Sequence, residues 1–141
     1  MGIATKESSI GTMLSSEPIT ITRRMVKEFS DPMTIFFAFL IHTDDNVAKA
    51  SGFPSIVAEG LQVYGIVSEM LAGYFREGWF SGGKLSMNFL SPIMPNDIVT
   101  AKGIIKEKII EKDAVRLNLR VWVENQWRAK IIMGSASGII L

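Results

Sequence analysis

Few side chains in this sequence suit acid–base chemistry at neutral pH. His42 is the single histidine of the 141-residue chain, and histidine is the side chain whose ordinary pKa lies near neutrality. It follows the apolar run MTIFFAFLI at residues 33–41, and a lone histidine beside such a run has an ordinary structural role as well. Asp44 stands nearby, where a helix N-cap explains it fully. Glu59 is harder to dismiss, because it falls in a mostly apolar stretch where a carboxylate is costly unless paired. The absence of cysteine removes disulfides, thiolate ligands and thiol nucleophiles together. One histidine cannot build a multi-histidine metal site within one chain, so no metal site is expected.

Two further patterns have plainer readings. Gly78-Trp79-Phe80-Ser81-Gly82-Gly83-Lys84 has the spacing of a phosphate-binding loop through its lysine. Leu85 stands where the magnesium-binding hydroxyl belongs, and the segment leads into a strand rather than a helix N-terminus, so a helix-to-strand turn is expected. Lys102, Lys106, Lys108, Lys112, Arg116 and Arg120 are interleaved with Glu107, Glu111 and Asp113, the pattern of a solvated strand face rather than a nucleic-acid stripe, although one or two could hold phosphates of a carried cofactor. Fifteen basic and fourteen acidic side chains leave a net charge of +1, which implies no general attraction to nucleic acid or anionic lipid.

The elements that must position these residues follow from periodicity. Thr22 caps a helix over about residues 23–30, with Met25, Val26 and Phe29 as its apolar stripe, and Asp31-Pro32 ends it. The run at 33–41 fits a buried strand or a continued helix, and periodicity does not decide. A short helix starts at Asp44-Asp45 and ends near Ser51-Gly52. Residues 56–75 contain thirteen apolar side chains in twenty, spread over nearly every face of a helical wheel, so this helix must be buried on almost all sides. Glu59, Gln62 and Glu69 form its one polar stripe. From Gly82 onward the period is two, giving strands at 83–89, 97–110, 114–124 and 127–141. In the third, Val115, Leu117, Leu119, Val121 and Val123 face one way and Arg116, Asn118 and Arg120 the other. Helices followed by long antiparallel strands make an α+β pattern, and a helix apolar all round needs a sheet wrapped about it. The open edge of that sheet favours dimerisation by strand pairing.

Residues 1–17 mix Ser, Thr and Gly with charges and lack the apolar stretch of a signal peptide; they are expected to form a flexible N-terminal segment. Residues 32–41 are too short to cross a bilayer, and residues 56–75 carry Glu59, Gln62, Glu69 and three glycines. No membrane contact and a cytoplasmic location are the expectation.

Ile41-His42-Thr43-Asp44, then Ala48, Gly52-Phe53 and Glu59-Gly60, resemble the MaoC-like family that includes R-specific enoyl-CoA hydratases, whose pattern is D-x-N-P-I-H-x-D, then Ala, Gly-Phe and His-Gly. The likeness continues in Asn88-Phe89-Leu90-Ser91-Pro92-Ile93-Met94-Pro95-Asn96-Asp97, which resembles the family's F-x-x-P-V-x-P-G-D turn, and loosely through Gly134-Ser135-Ala136. It spans residues 18–141 and implies one hot-dog domain: a long central helix wrapped by a curved antiparallel sheet, in a homodimer or a higher oligomer.

The resemblance implies a hydratase or dehydratase acting on an α,β-unsaturated acyl thioester or related carbonyl compound, with coenzyme A entering only as part of the substrate and no other cofactor. It assigns the acid/base to His42, the oxyanion-holding N–H to Gly60 and a supporting polar role to Ser68 or Glu59. The family's catalytic Asp falls on Phe37 and its Asn on Phe39, which with Asp44 are implied to touch substrate. Phe37 cannot accept a hydrogen bond, so the usual Asp–His pair is broken. The alternatives are a non-catalytic partner subunit of a heteromeric hydratase, or a hot-dog acyl thioesterase using Glu59 or Glu69.

Overall fold

The computed structural model describes residues 1–33 and 37–141, with side chains described except at 33 and 37–39. In chain order the elements are β1 (Met13–Ser15), β2 (Ile19–Thr20), α1 (Arg23–Ser30), 3-10 turns at Asp31–Met33 and Phe37–His42, α2 (Asp45–Ala50), α3 (Gly60–Phe75), α4 (Glu77–Gly82), β3 (Lys84–Phe89), β4 (Ile98–Ile110), β5 (Val115–Glu124) and β6 (Lys130–Ile140). The strands make one antiparallel six-stranded sheet in the order β1-β4-β5-β6-β3, with β2 also paired to β4. β3 is therefore an edge with β6 as its neighbour.

The alternation in β5 places Val115, Leu117, Leu119, Val121 and Val123 in the core, each at most 8% exposed. Burying each contributes roughly 1.5–3 kcal/mol. Against them lies α3, which touches β3, β4, β5 and β6 and buries Val63, Ile66, Val67, Met70, Leu71, Tyr74 and Phe75. A long helix held in a curved antiparallel sheet is the hot-dog arrangement.

Several boundaries differ from the sequence expectation, and each difference has a local cause. The central helix begins at Gly60 rather than residue 56, because Val57 N–H donates to Ile41 O at 3.2 Å and Ala58 N–H to Ile93 O at 2.8 Å. Those amides are spent on neighbouring segments, so residues 56–59 run extended. Glu59 therefore leaves the expected polar stripe and becomes the extended residue just ahead of the helix. Gln62 donates to Met25 O at 3.1 Å, and Glu69 alone of the three faces solvent. The glycine-rich segment before Lys84 folds as α4, missed by periodicity because it is six residues long. A Cβ on Gly78 would lie 1.8 Å from Ile139 O, so this glycine lets the helix backbone press on β6. The segment therefore cradles a strand, not a phosphate.

The segment 1–17, expected to be flexible, is laid onto this framework. β1 pairs with β4, Ala4 N–H donates to Tyr74 O at 2.8 Å, and the Tyr74 hydroxyl donates to Ser8 Oγ at 3.0 Å. In the turn before β4, Asn96 adopts φ 74°. Asparagine tolerates that left-handed region, which accounts for Asn where the resembled pattern has Gly.

Candidate active site

Three short segments build the site. Thr22 caps α1 by accepting from Met25 N–H at 3.1 Å, as its sequence predicts, and the helix ends on Ser30, which is fully buried. The chain then reaches His42 at the close of a 3-10 turn, and Asp44 starts α2 by accepting from Asn46 N–H at 2.8 Å and Val47 N–H at 3.2 Å. The extended stretch 56–59 comes back beside His42 and delivers Gly60.

His42 Nδ1 lies 2.7 Å from Val57 O. A carbonyl oxygen only accepts, so Nδ1 carries the proton, and it is Nε2 that would act in acid–base chemistry. The stretch that orients the imidazole is itself clamped. Arg23 grips Asp45 through two hydrogen bonds of 3.0 and 2.6 Å, and the same carboxylate accepts Ile56 N–H at 3.0 Å. The guanidinium, then the Ile56 amide, hold the Asp45 carboxyl down at about 2.

Glu59 is 7% exposed, and its Oε2 accepts a hydrogen bond from Ser30 Oγ at 2.9 Å. Gly60 opens α3, so its amide is among the first four helix N–H groups, which have no partner within the helix. The positive end of the helix dipole favours a negative oxygen there. Gly60 and Val57 share the wall of a cleft of about 290 Å³, together with Phe53, Val63, Phe89 and Ile93. Among the described residues that line it, Ser91 alone has a polar side chain.

The expected site residues are thus partly assembled. Val57 links His42 to the cleft wall, although the imidazole itself does not line the cleft. Glu59 adjoins Gly60 with its carboxylate turned to Ser30. Ser68 lies eight residues along α3 from Gly60, about 12 Å at the ordinary helical rise, where its Oγ accepts from Trp79 Nε1–H at 3.1 Å. Asp44 is exposed and occupied as a cap. The Phe37 and Phe39 side chains lie outside the described residues. Larger surface grooves of about 390 and 780 Å³ lie elsewhere, and neither is lined by His42, Glu59 or Gly60. Among the described residues no group of three or more His, Asp or Glu side chains is placed to hold a metal ion, and no helix is long and apolar enough to cross a membrane.

Ser30, Val57, Arg23, Asp45 and Phe89 had not stood out as site residues in the sequence. The partners of Ser30 and Arg23 are 29 and 22 residues away, and Val57 acts through its backbone. Phe89 had a signal, because it stands in the stretch that carries the family resemblance.

The profile of the MaoC like domain family matches residues 6–126. The chain belongs to this family. Among solved structures, a MaoC-like dehydratase from Rhodospirillum rubrum superposes with a TM-score of 0.81 at 16% identity, covering 99% of this chain and 97% of that one. An R-hydratase from Pseudomonas aeruginosa gives 0.76 at 19% identity over 95% and 82% of the two chains. A 3R-hydroxyacyl-ACP dehydratase complex from Mycobacterium tuberculosis gives 0.70 at 16% identity over 96% and 99%. These likenesses show that the MaoC-like chain shares their fold. No curated protein matches the sequence.

Proposed function

We propose that this MaoC-like protein is a hydratase or dehydratase acting on an α,β-unsaturated acyl thioester. The observation that carries the reading is the stretch from Val57 to Gly60, whose first carbonyl orients the His42 imidazole and whose last residue opens α3 on the wall of a mainly apolar cleft, its amide without a partner within the helix. In the hydration direction the thioester carbonyl oxygen accepts from Gly60 N–H, which draws electrons away from the β-carbon. His42 Nε2 takes a proton from water as its oxygen bonds to the β-carbon, then returns that proton to the α-carbon. Water is consumed and the double bond becomes a β-hydroxy thioester; dehydration is the same path reversed. Glu59, whose Oε2 accepts from Ser30 Oγ, braces the residue just ahead of the Gly60 amide. The reading needs no metal, since the amide donor polarises the carbonyl, and coenzyme A or a carrier protein enters attached to the substrate.

A homodimer fits the exposed surface. Leu90 is 58% exposed just past the edge strand β3, and an unpaired edge beside an apolar side chain favours a second copy. Sedimentation at micromolar concentration should report twice the chain mass.

The deciding assay follows loss of enoyl absorbance with purified protein and a panel of 2-enoyl thioesters. Wild type should turn over at least one member, and His42→Ala should lower kcat/KM about 10²- to 10⁴-fold. Failure on the whole panel overturns the hydratase reading in favour of a partner subunit, a role that Phe37 at the family's Asp position also fits. Release of free thiol without hydration points instead to a thioesterase using Glu59.

A further inference from the structure

We infer that Phe89 sets how long an acyl chain the Gly60 cleft admits, making it the length selector for 2-enoyl thioester substrates. This rests on the acyl-thioester reading above and adds a selector to it. An ideal Cβ built on Gly60 would lie 3.0 Å from both Cε1 and Cζ of Phe89, well inside the 3.5–4.0 Å at which carbon atoms pack comfortably. The ring is therefore seated directly against the Gly60 backbone, and glycine is the residue that fits beneath it.

Phe89 is not a core aromatic. It is 53% exposed while forming part of the cleft wall. Its backbone is fixed, since Phe89 pairs with Ile132 in the sheet and Leu90 N–H donates to Ile131 O at 2.9 Å. Rotation of the ring can thus widen the cleft beside Gly60 without breaking a strand bond. The other walls, including Phe53, Val63 and Ile93, are apolar and suit hydrocarbon. A volume of about 290 Å³ equals roughly ten water molecules at about 30 Å³ each. That accommodates a carbonyl with about eight carbons beyond it, whereas a longer chain must displace the ring.

The test compares wild type, Phe89→Ala and Phe89→Leu on straight-chain 2-enoyl-CoA thioesters of increasing length, with binding of the saturated acyl-CoA series measured in parallel by calorimetry. Wild type should lose kcat/KM and affinity once the chain passes about eight carbons. Phe89→Ala should raise kcat/KM and affinity for chains two carbons longer by roughly tenfold, the value of two buried methylenes, with Phe89→Leu between. Gly60→Ala should weaken acyl-CoA binding at least tenfold, and adding Phe89→Ala should restore much of it. Folded Phe89 variants with the wild-type length profile would overturn the inference. A Phe89-dependent binding profile without turnover supports it while overturning the hydratase reading alone.

Discussion

The Ser30 hydroxyl donates to Glu59 Oε2 across 2.9 Å, joining the last residue of α1 to the residue that precedes α3. Both side chains are buried, and among the described residues Ser30 is the one side-chain donor to the Glu59 carboxylate. A buried carboxylate stripped of a donor bears the full desolvation cost. Ser30→Ala should therefore destabilise the fold by about 1–3 kcal/mol, read as a lower urea midpoint at constant m-value. Glu59→Gln keeps an oxygen for Ser30 and should unfold near the wild-type midpoint.

His42 separates into two roles that two substitutions can divide. Asparagine offers an N–H near the position of Nδ1 but no base, so His42→Asn should keep the bond to Val57 O and the wild-type melting temperature, yet lose the same 10²- to 10⁴-fold in kcat/KM as His42→Ala. His42→Ala should also lose about 0.5–1.5 kcal/mol of stability. Equal melting temperatures for all three proteins would show that the Val57 bond does not hold the loop.

The Arg23–Asp45 pair gives a pH signature. Asp45 is held at about 2, below its ordinary 3.8, so the folded state favours the ionised carboxylate. Its stabilisation is fully present above about pH 4 and is lost as pH falls through 2. The melting-temperature gap between wild type and Asp45→Asn should stay constant above pH 4 and shrink towards pH 2. A gap that grows with acidity would reverse the sign and refute the assignment.

Gly78 tests the packing of α4. A methyl group there would meet Ile139 O at 1.8 Å, and backbone cannot turn aside as a side chain can. Gly78→Ala should cost about 3 kcal/mol or more, seen as an early thermal transition, whereas Gly65→Ala, where a Cβ meets nothing within 4 Å, should be neutral or stabilising.

Much of the architecture was legible because it follows from repetition. The alternation over residues 115–123 gives β5 its buried face, and Thr22 and Asp44 mark helix starts by cap chemistry that acts within three residues. The site was less legible, because its decisive contacts are made by backbone atoms or span long separations. Val57 works through its carbonyl, which any residue type supplies, and the Ser30–Glu59 bond closes 29 residues of chain. The start of α3 was misplaced for the same reason: an apolar wheel cannot reveal that Val57 and Ala58 N–H groups are already bonded to Ile41 and Ile93. Ser68 shows the reverse case, a residue placed by resemblance whose hydroxyl is engaged by Trp79.

Ala58 N–H is tied to Ile93 O between the residue that aims the imidazole and the residue that offers the amide. The Val57 carbonyl and the Gly60 amide thus sit on one short strip of chain pinned at its middle, so a displacement of the Ile93 turn carries both with it.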